Sequence, residues 1–160
     1  MLPRRNSLGI NDPAKTPMNT PRLLVAVIAG FVFIFGSDFL IHTVLLDPDY
    51  KATSQLWRTE PEMMTRFPWM IAGHLLAATT FVIIWALGFT NRRTMGMGAL
   101  YGLLMGLFAH AYTVINYVVT PIPGQLSTKV FLTGLVQAVL LGVITAAIYK
   151  FDRGAGERRN

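Results

Sequence analysis

Four long apolar runs, separated by short polar segments, make up most of the chain. They cover residues 23–46, 67–89, 95–119 and 130–149. Each has about the 20 residues that a helix needs to cross a bilayer. Because hydrocarbon cannot satisfy backbone polar groups, a run of this kind in a membrane has to be helical. The pattern predicts an all-α membrane protein, and the short connections predict an antiparallel four-helix transmembrane bundle over residues 23–150.

The polar segments predict what lies outside the bilayer. Residues 1–22 are polar and rich in proline, which predicts a disordered cytoplasmic leader. Residues 47–66 form the longest connection, an outer loop with one or two short interfacial helices. Within it we predict one short helix from an Asp49 cap through Trp57. We predict a second short helix that begins at Thr59, because residues 59–62 match a capping box with proline in the first turn. Residues 151–160 form a basic cytoplasmic tail.

Charge is distributed unevenly between the two sides of the predicted bundle. The chain has 14 Lys and Arg residues and a formal net charge of +6. Ten of the 14 lie in residues 1–22, 90–94 and 150–160, and all of these segments fall on one side. Positive loops stay cytoplasmic, so we predict cytoplasmic termini, and no nucleic-acid partner. The absence of cysteine excludes disulfides and thiolate metal sites.

Small residues recur every four positions in the last two runs. Such stripes let helix backbones approach closely within lipid. We predict that the third and fourth spans pack on them, and the alternative is that a stripe pairs with a second copy. The stripes are Gly98, Gly102 and Gly106 in the third span, and Gly134, Ala138, Gly142 and Ala146 in the fourth.

Five polar side chains inside the spans are the candidate functional residues: Asp38, His42, His74, His110 and Gln137. At 1.5 Å per residue, they lie roughly 6–14 Å below the outer surface, so a single layer could contain them all. Asp38 and His42 are four residues apart and share a helix face, which would let the carboxylate orient the imidazole. An ionised aspartate is costly in hydrocarbon, so Asp38 needs a partner or water.

The third histidine continues the glycine line of its helix. His110 lies four residues after Gly106, so we expect it to face a neighbouring helix. Thr113 and Tyr117 lie near the same face and are candidates to support it. Together with Asp38 and Gln137 they would surround the histidines.

Three hypotheses follow, and the sequence does not decide among them. In the first, the polar groups bond to each other and fix helix register, in a non-catalytic structural or accessory subunit of a larger membrane assembly. In the second, His42, His74 and His110 hold a transition metal, haem or chlorin in a redox or pigment protein. In the third, Asp38 serves an oligomeric proton- or cation-coupled transporter. No spacing matches a catalytic motif, which favours a protein that is not an enzyme.

A short stretch at the end of the first run carries a resemblance. Residues 35–42 (FGSDFLIH), followed by Tyr50 and residues 56–58 (LWR), are similar to small bacterial four-pass proteins of unknown function. Residues 99–102 (ALYG) and Gln137 look similar too. The resemblance implies a four-pass protein of a bacterial inner membrane. It carries over no catalytic residue, because that family has no assigned chemistry.

Overall fold

Helices form all the regular structure in the described part of the chain. A computed structural model describes residues 19–88 and 94–149 of the 160. The predicted leader, the segment at 90–94 and the basic tail fall wholly or largely outside these residues. In chain order, the elements are α1 (Thr20–Leu40), a π-helical turn (Ile41–Leu45), α2 (Asp47–Ala52), a 3-10 turn (Ser54–Leu56), α3 (Glu60–Met64), α4 (Phe67–Gly88), α5 (Met95–Val119) and α6 (Gly124–Ile148).

Within residues 19–88 and 94–149, four helical segments are long and apolar enough to cross a membrane. They are Thr20–Leu45, which joins α1 to the π-helical turn, and α4, α5 and α6. The prediction of four apolar membrane helices is confirmed at this level. Most of their large apolar side chains lie on the outside of the structure, as expected of helices that contact lipid.

Two of these helices begin before the apolar runs that predicted them. α1 starts at Thr20 because the Asn19 side chain accepts a hydrogen bond from the Arg22 backbone N–H (3.1 Å), and Pro21 fits the first turn. α6 starts at Gly124, ahead of residue 130. The charge on Lys129 does not end the apolar helix, because its Nζ pairs with Asp49 at 2.7 Å.

The outer segment contains two short helices, as predicted. The predicted capping box is present at α3, where the Thr59 backbone N–H donates to Glu62 Oε2 at 3.0 Å. The other helix differs from the prediction, since α2 begins at Asp47 and already ends at Ala52. Pro48 occupies the first turn of α2, where its missing N–H costs nothing. A separate 3-10 turn then leads to Trp57.

The small-residue stripes of α5 and α6 face each other. A methyl group added at Gly98 would meet Gly142 and Ala146, and one added at Gly102 would meet the backbone of Ala138. The predicted packing of these two helices is therefore confirmed. Because the stripes cover each other within one chain, a second copy could use them only if α5 separated from α6.

An aromatic core joins the beginnings of α1 and α5 to the ends of α4 and α6. Ala26, Trp85, Tyr101 and Ala146 are buried together in it. The Tyr101 hydroxyl donates to the Phe81 carbonyl at 2.5 Å, which ties α5 to α4. α1 packs on both α4 and α6. The candidate polar residues lie toward the other end of these helices, so the apolar core and the polar groups occupy different levels.

Candidate functional site

Asp38 on α1 connects three helices through its carboxylate. Its Oδ2 lies 2.6 Å from Nε2 of His74 on α4. Its Oδ1 accepts a hydrogen bond from the Gln137 side-chain amide on α6, at 2.7 Å. The carboxylate is partly buried, with 28% of its side chain exposed. Charge-assisted hydrogen bonds of this kind are short and strong. We call Asp38, His74, Gln137 and Ser37 the Asp38 cluster.

Ser37 completes the α6 side of the Asp38 cluster. Its hydroxyl donates to the Phe33 carbonyl at 2.6 Å and accepts from the Gln137 amide at 2.7 Å. The amide also approaches the Ile34 carbonyl at 3.4 Å. One glutamine thus satisfies several polar atoms on the same face of α1. Such interhelical hydrogen bonds between polar side chains are typical of membrane helices.

The hydrogen bonds of His74 define where its protons lie. Its Nδ1 is 2.6 Å from the Met70 carbonyl, which can only accept, so Nδ1 carries a proton and donates. Nε2 and Asp38 Oδ2 then share one further proton. The pair is neutral overall whichever atom holds that proton, which lowers the cost of placing Asp38 within an apolar segment. Both ring nitrogens of His74 are occupied.

His42 has a different partner from the one that the spacing predicted. Its Nδ1 lies 2.6 Å from the Tyr50 hydroxyl, whereas the Asp38 carboxylate bonds to His74. Both oxygens of Asp38 are already bonded, to His74 and Gln137, and the Tyr50 ring stacks on the His42 ring. No hydrogen bond joins Asp38 to His42 in the described residues, although both side chains line one groove.

Tyr50 belongs to a small aromatic group outside the spans. Its ring meets Trp57 edge-on with centroids 5.1 Å apart, and the Trp57 indole N–H donates to Thr53 Oγ1 at 2.8 Å. Burial raises the pKa of Tyr50, and the nearby charges of Asp38 and Asp49 raise it further. The phenol therefore keeps its proton and can donate to His42.

His110 lies in the interface between α5 and α6. Its Nδ1 donates to the Gly106 carbonyl at 3.0 Å, within α5. Its Nε2 points at Gly134, at the place where a Cβ atom would be, and its ring meets Phe131 edge-on. As expected, His110 faces a neighbouring helix.

The two residues expected to support His110 lie apart from the Asp38 cluster. Thr113 is partly buried, and in residues 19–88 and 94–149 no hydrogen bond connects it to the cluster. Tyr117 is half-exposed and lies beside Gly124 at the start of α6. The structure therefore connects Asp38, His74 and Gln137, and gives His42 and His110 separate partners.

The donor set differs from that of a metal centre. Among the described residues, no three His, Asp or Glu side chains form a group that could hold a metal ion. Metal at His74 would have to displace Asp38 or Met70, and metal at His110 Nε2 would meet the α6 backbone. In the described ranges, His42 and His110 each keep Nε2 without a hydrogen bond, and that of His110 lies against Gly134 of α6.

A groove of about 510 Å³ lies against the Asp38 cluster. Asp38, His42 and His74 line its polar part. Its apolar walls come from α1 and the start of α4. Volumes of this size are typical of small-molecule sites.

Sequence reasoning missed two contacts that organise this end of the protein. One joins Tyr50 to His42, and the other joins Lys129 to Asp49, 80 positions earlier. The available signal for the second was the set of acidic residues in the outer loop at 47–66, which could pair with a lysine on the same side of the bundle. The first joins the first span to the outer loop, and spacing within one helix does not predict such a contact.

Comparisons with protein-family models, curated proteins and solved structures find no match. The resemblance to small bacterial four-pass proteins thus rests on short motifs, without a family match. The described residues form a helical protein with four candidate membrane spans.

Proposed function

We propose that this chain is a non-catalytic integral membrane protein, a structural or accessory subunit, in which the Asp38 cluster fixes the packing of three helices. One observation carries the proposal: both oxygens of Asp38 are bonded to side chains of other helices. Hydrogen bonds between side chains of different helices hold those helices in register. A carboxylate with both oxygens bonded in this way has little capacity left to act on a substrate. The outer surfaces then contact lipid and other membrane subunits.

We further propose an antiparallel four-helix bundle with both termini cytoplasmic in a cell inner membrane. Ala26 and Tyr101 are buried together with Trp85 and Ala146. This supports the antiparallel arrangement, because it joins the beginnings of two helices to the ends of two others. The excess of Lys and Arg in residues 1–22, 90–94 and 150–160 supports the orientation. Reporter proteins fused after residue 160 and inserted at residue 55 test this, since they should report opposite sides of the membrane.

A double-mutant cycle tests the structural role. Asp38→Ala and His74→Ala should each lower the unfolding temperature in detergent. The double variant should lose less than the sum, because each single change leaves a polar group without its partner. We expect a coupling of about 0.6 kcal/mol, the average for hydrogen bonds between membrane helices, and at most about 1.7 kcal/mol. Thr80→Ala is the matched control, since Thr80 Oγ1 bonds only within its own helix.

The same preparation separates this proposal from the two other hypotheses. A structural protein should be colourless and metal-free when purified. A bound metal, or a visible absorption band lost in His42→Ala, would favour the redox or pigment hypothesis. Proton or cation flux in vesicles that disappears in a folded Asp38→Asn variant would favour transport. Additive effects of Asp38→Ala and His74→Ala would contradict the structural role.

A further inference from the structure

The groove beside the Asp38 cluster combines aromatic walls with one polar end. We propose that it binds a neutral, membrane-dissolved molecule with a flat ring head that carries carbonyl or hydroxyl oxygens, of the quinone or phenol class. This inference does not depend on the structural role of the Asp38 cluster.

The first argument is the shape and position of the groove. All of its lining residues belong to α1, the π-helical turn and the start of α4. It therefore lies on the outside of this helix pair, apart from the interface between α5 and α6. A molecule dissolved in the bilayer could enter it sideways. Its volume of about 510 Å³ would accept a ring and part of a tail.

The second argument is a free polar atom at the polar end. His42 uses Nδ1 to bond the Tyr50 hydroxyl, and within the described residues its Nε2 has no hydrogen-bond partner. A tyrosine hydroxyl can donate or accept, so the His42 tautomer can adapt. Nε2 can therefore accept from a hydroxyl or donate to a carbonyl. Thr43, the next residue, also lines the groove.

The third argument is the local backbone. The π-helical turn at Ile41–Leu45 contains both His42 and Thr43. Single π-helical turns interrupt α-helices rarely, and they are frequent at functional sites. Here the turn ends the first span, beginning three residues after Asp38, and both polar side chains line the groove beside its aromatic wall.

The fourth argument is charge. Among the residues that the structure describes, no Lys or Arg lines the groove, so they offer no partner for a phosphate or carboxylate head. The one carboxylate, Asp38, is already bonded to His74 and Gln137, so a cationic head would have to displace them. Phe35, Phe39 and Phe67 supply flat apolar walls. A neutral ring head fits these constraints, because aromatic pairs are favoured in stacked or edge-on arrangements.

The test is ligand-dependent stabilisation of the full chain in detergent. The probe is a benzoquinone with a decyl tail, and a ligand that binds only the folded state raises the unfolding temperature with concentration. We expect a saturable increase. Decylbenzene has a flat six-membered ring and the same tail without oxygens, and it should bind about tenfold more weakly, as expected when one hydrogen bond is lost. Equal stabilisation by decylbenzene would overturn the proposal.

Variants test whether the quinone binds in this groove. His42→Leu should weaken quinone binding about tenfold, while leaving decylbenzene unchanged. Thr43→Phe fills the groove from an exposed position and should abolish saturation. Thr133→Val is the control, because Thr133 lines a different groove, between α1 and α6. Each variant's unfolding without probe shows that it folds. If laurate or dodecylamine stabilised the protein more than the quinone does, the proposal that the ligand has a neutral head would be overturned. If Thr43→Phe bound the quinone unchanged, the proposal that it binds in this groove would be overturned.

Discussion

The imidazole of His110 on α5 occupies the space in which a side chain at Gly134 of α6 would lie. Its Nε2, Cε1 and Cδ2 atoms are the three nearest to the position that a Cβ on Gly134 would take. The two residues therefore form a single packing unit, in which the missing side chain on α6 accommodates the ring on α5.

Gly134→Ala should consequently destabilise the protein. The added methyl group overlaps the ring, and overpacking of this kind typically costs about 1–3 kcal/mol. Thermal unfolding in detergent measures the effect. The His110→Ala/Gly134→Ala double variant should recover part of the loss, because the smaller side chain removes the overlap.

Gly36→Ala and Gly73→Ala are the matched controls for that prediction. Both glycines lie in helices, and an added Cβ at either would meet nothing within 4 Å. Alanine favours helix over glycine, so these variants should be neutral or slightly more stable. An equal loss in the controls and in Gly134→Ala would contradict the role of the His110 contact.

Gly102→Ala should be among the most damaging alanine substitutions on α5. Its Cβ would overlap the Ala138 carbonyl oxygen and approach the Val139 backbone, and neither can rotate away as a side chain would. The two helices would have to separate, which removes contacts along the whole stripe. Gly96→Ala on the same helix is the control, because its Cβ would meet only Thr94 Oγ1 at an ordinary 3.8 Å. Unfolding temperatures that fall equally in both variants would contradict this explanation.

Asp49→Asn should loosen the outer segment without unfolding the helices. The Lys129 ammonium contacts both Asp49 oxygens, at 2.7 and 3.0 Å, and connects α2 to the first turns of α6. An ion pair near the surface typically contributes about 0.2–1 kcal/mol, so global unfolding should change little. Protease cleavage between residues 50 and 66 should become faster.

Asp47→Asn provides the control for the outer segment. Asp47 pairs with Lys51 on the same short helix, at 2.8 Å, and connects to no other element through that pair. Its cleavage rate should stay near that of the natural sequence. The charge-reversed double variant Asp49→Lys/Lys129→Asp should regain resistance. If Asp49→Asn left the protease resistance of residues 50–66 unchanged, the ion pair between Asp49 and Lys129 would not be what holds the outer segment.

Length and periodicity were enough to predict the four apolar helices and the packing of α5 on α6. Both are repetitive signals: about 20 apolar residues for a span, and a small residue every four positions for close approach. Capping at Thr59 was predictable because it depends only on residues close in sequence.

The partners of the polar residues could not be predicted from the sequence. Spacing shows which side chains share a face of one helix, but not how two helices are rotated against each other. The bond between Asp38 and His74 depends on that rotation. The bond between His42 and Tyr50 joins the first span to α2, so it too depends on how two elements lie against each other.

The capping box of α3 should give the outer segment a dependence on acid. Both the hydroxyl and the backbone N–H of Thr59 donate to Glu62, and these bonds lower the pKa of Glu62 from its ordinary value of 4.5. A lowered pKa in the folded state means that the cap stabilises α3 fully above pH 4.5 and loses this effect as the pH falls through the lowered value. Methyl NMR signals of Met63 and Met64 should therefore be constant near neutral pH and shift toward unfolded positions in acid.

Glu62→Gln should remove that transition while keeping the helix. The amide oxygen can still accept from Thr59, but it does not titrate, so the methyl signals should lose the part of the acid shift that Glu62 causes. Glu60→Gln is the control, since it leaves the Thr59 cap intact and should keep the transition. Should Glu62→Gln retain the acid shift in full, the loosening of α3 would have to come from another carboxylate, and the cap would not be the acid-sensitive part of the segment.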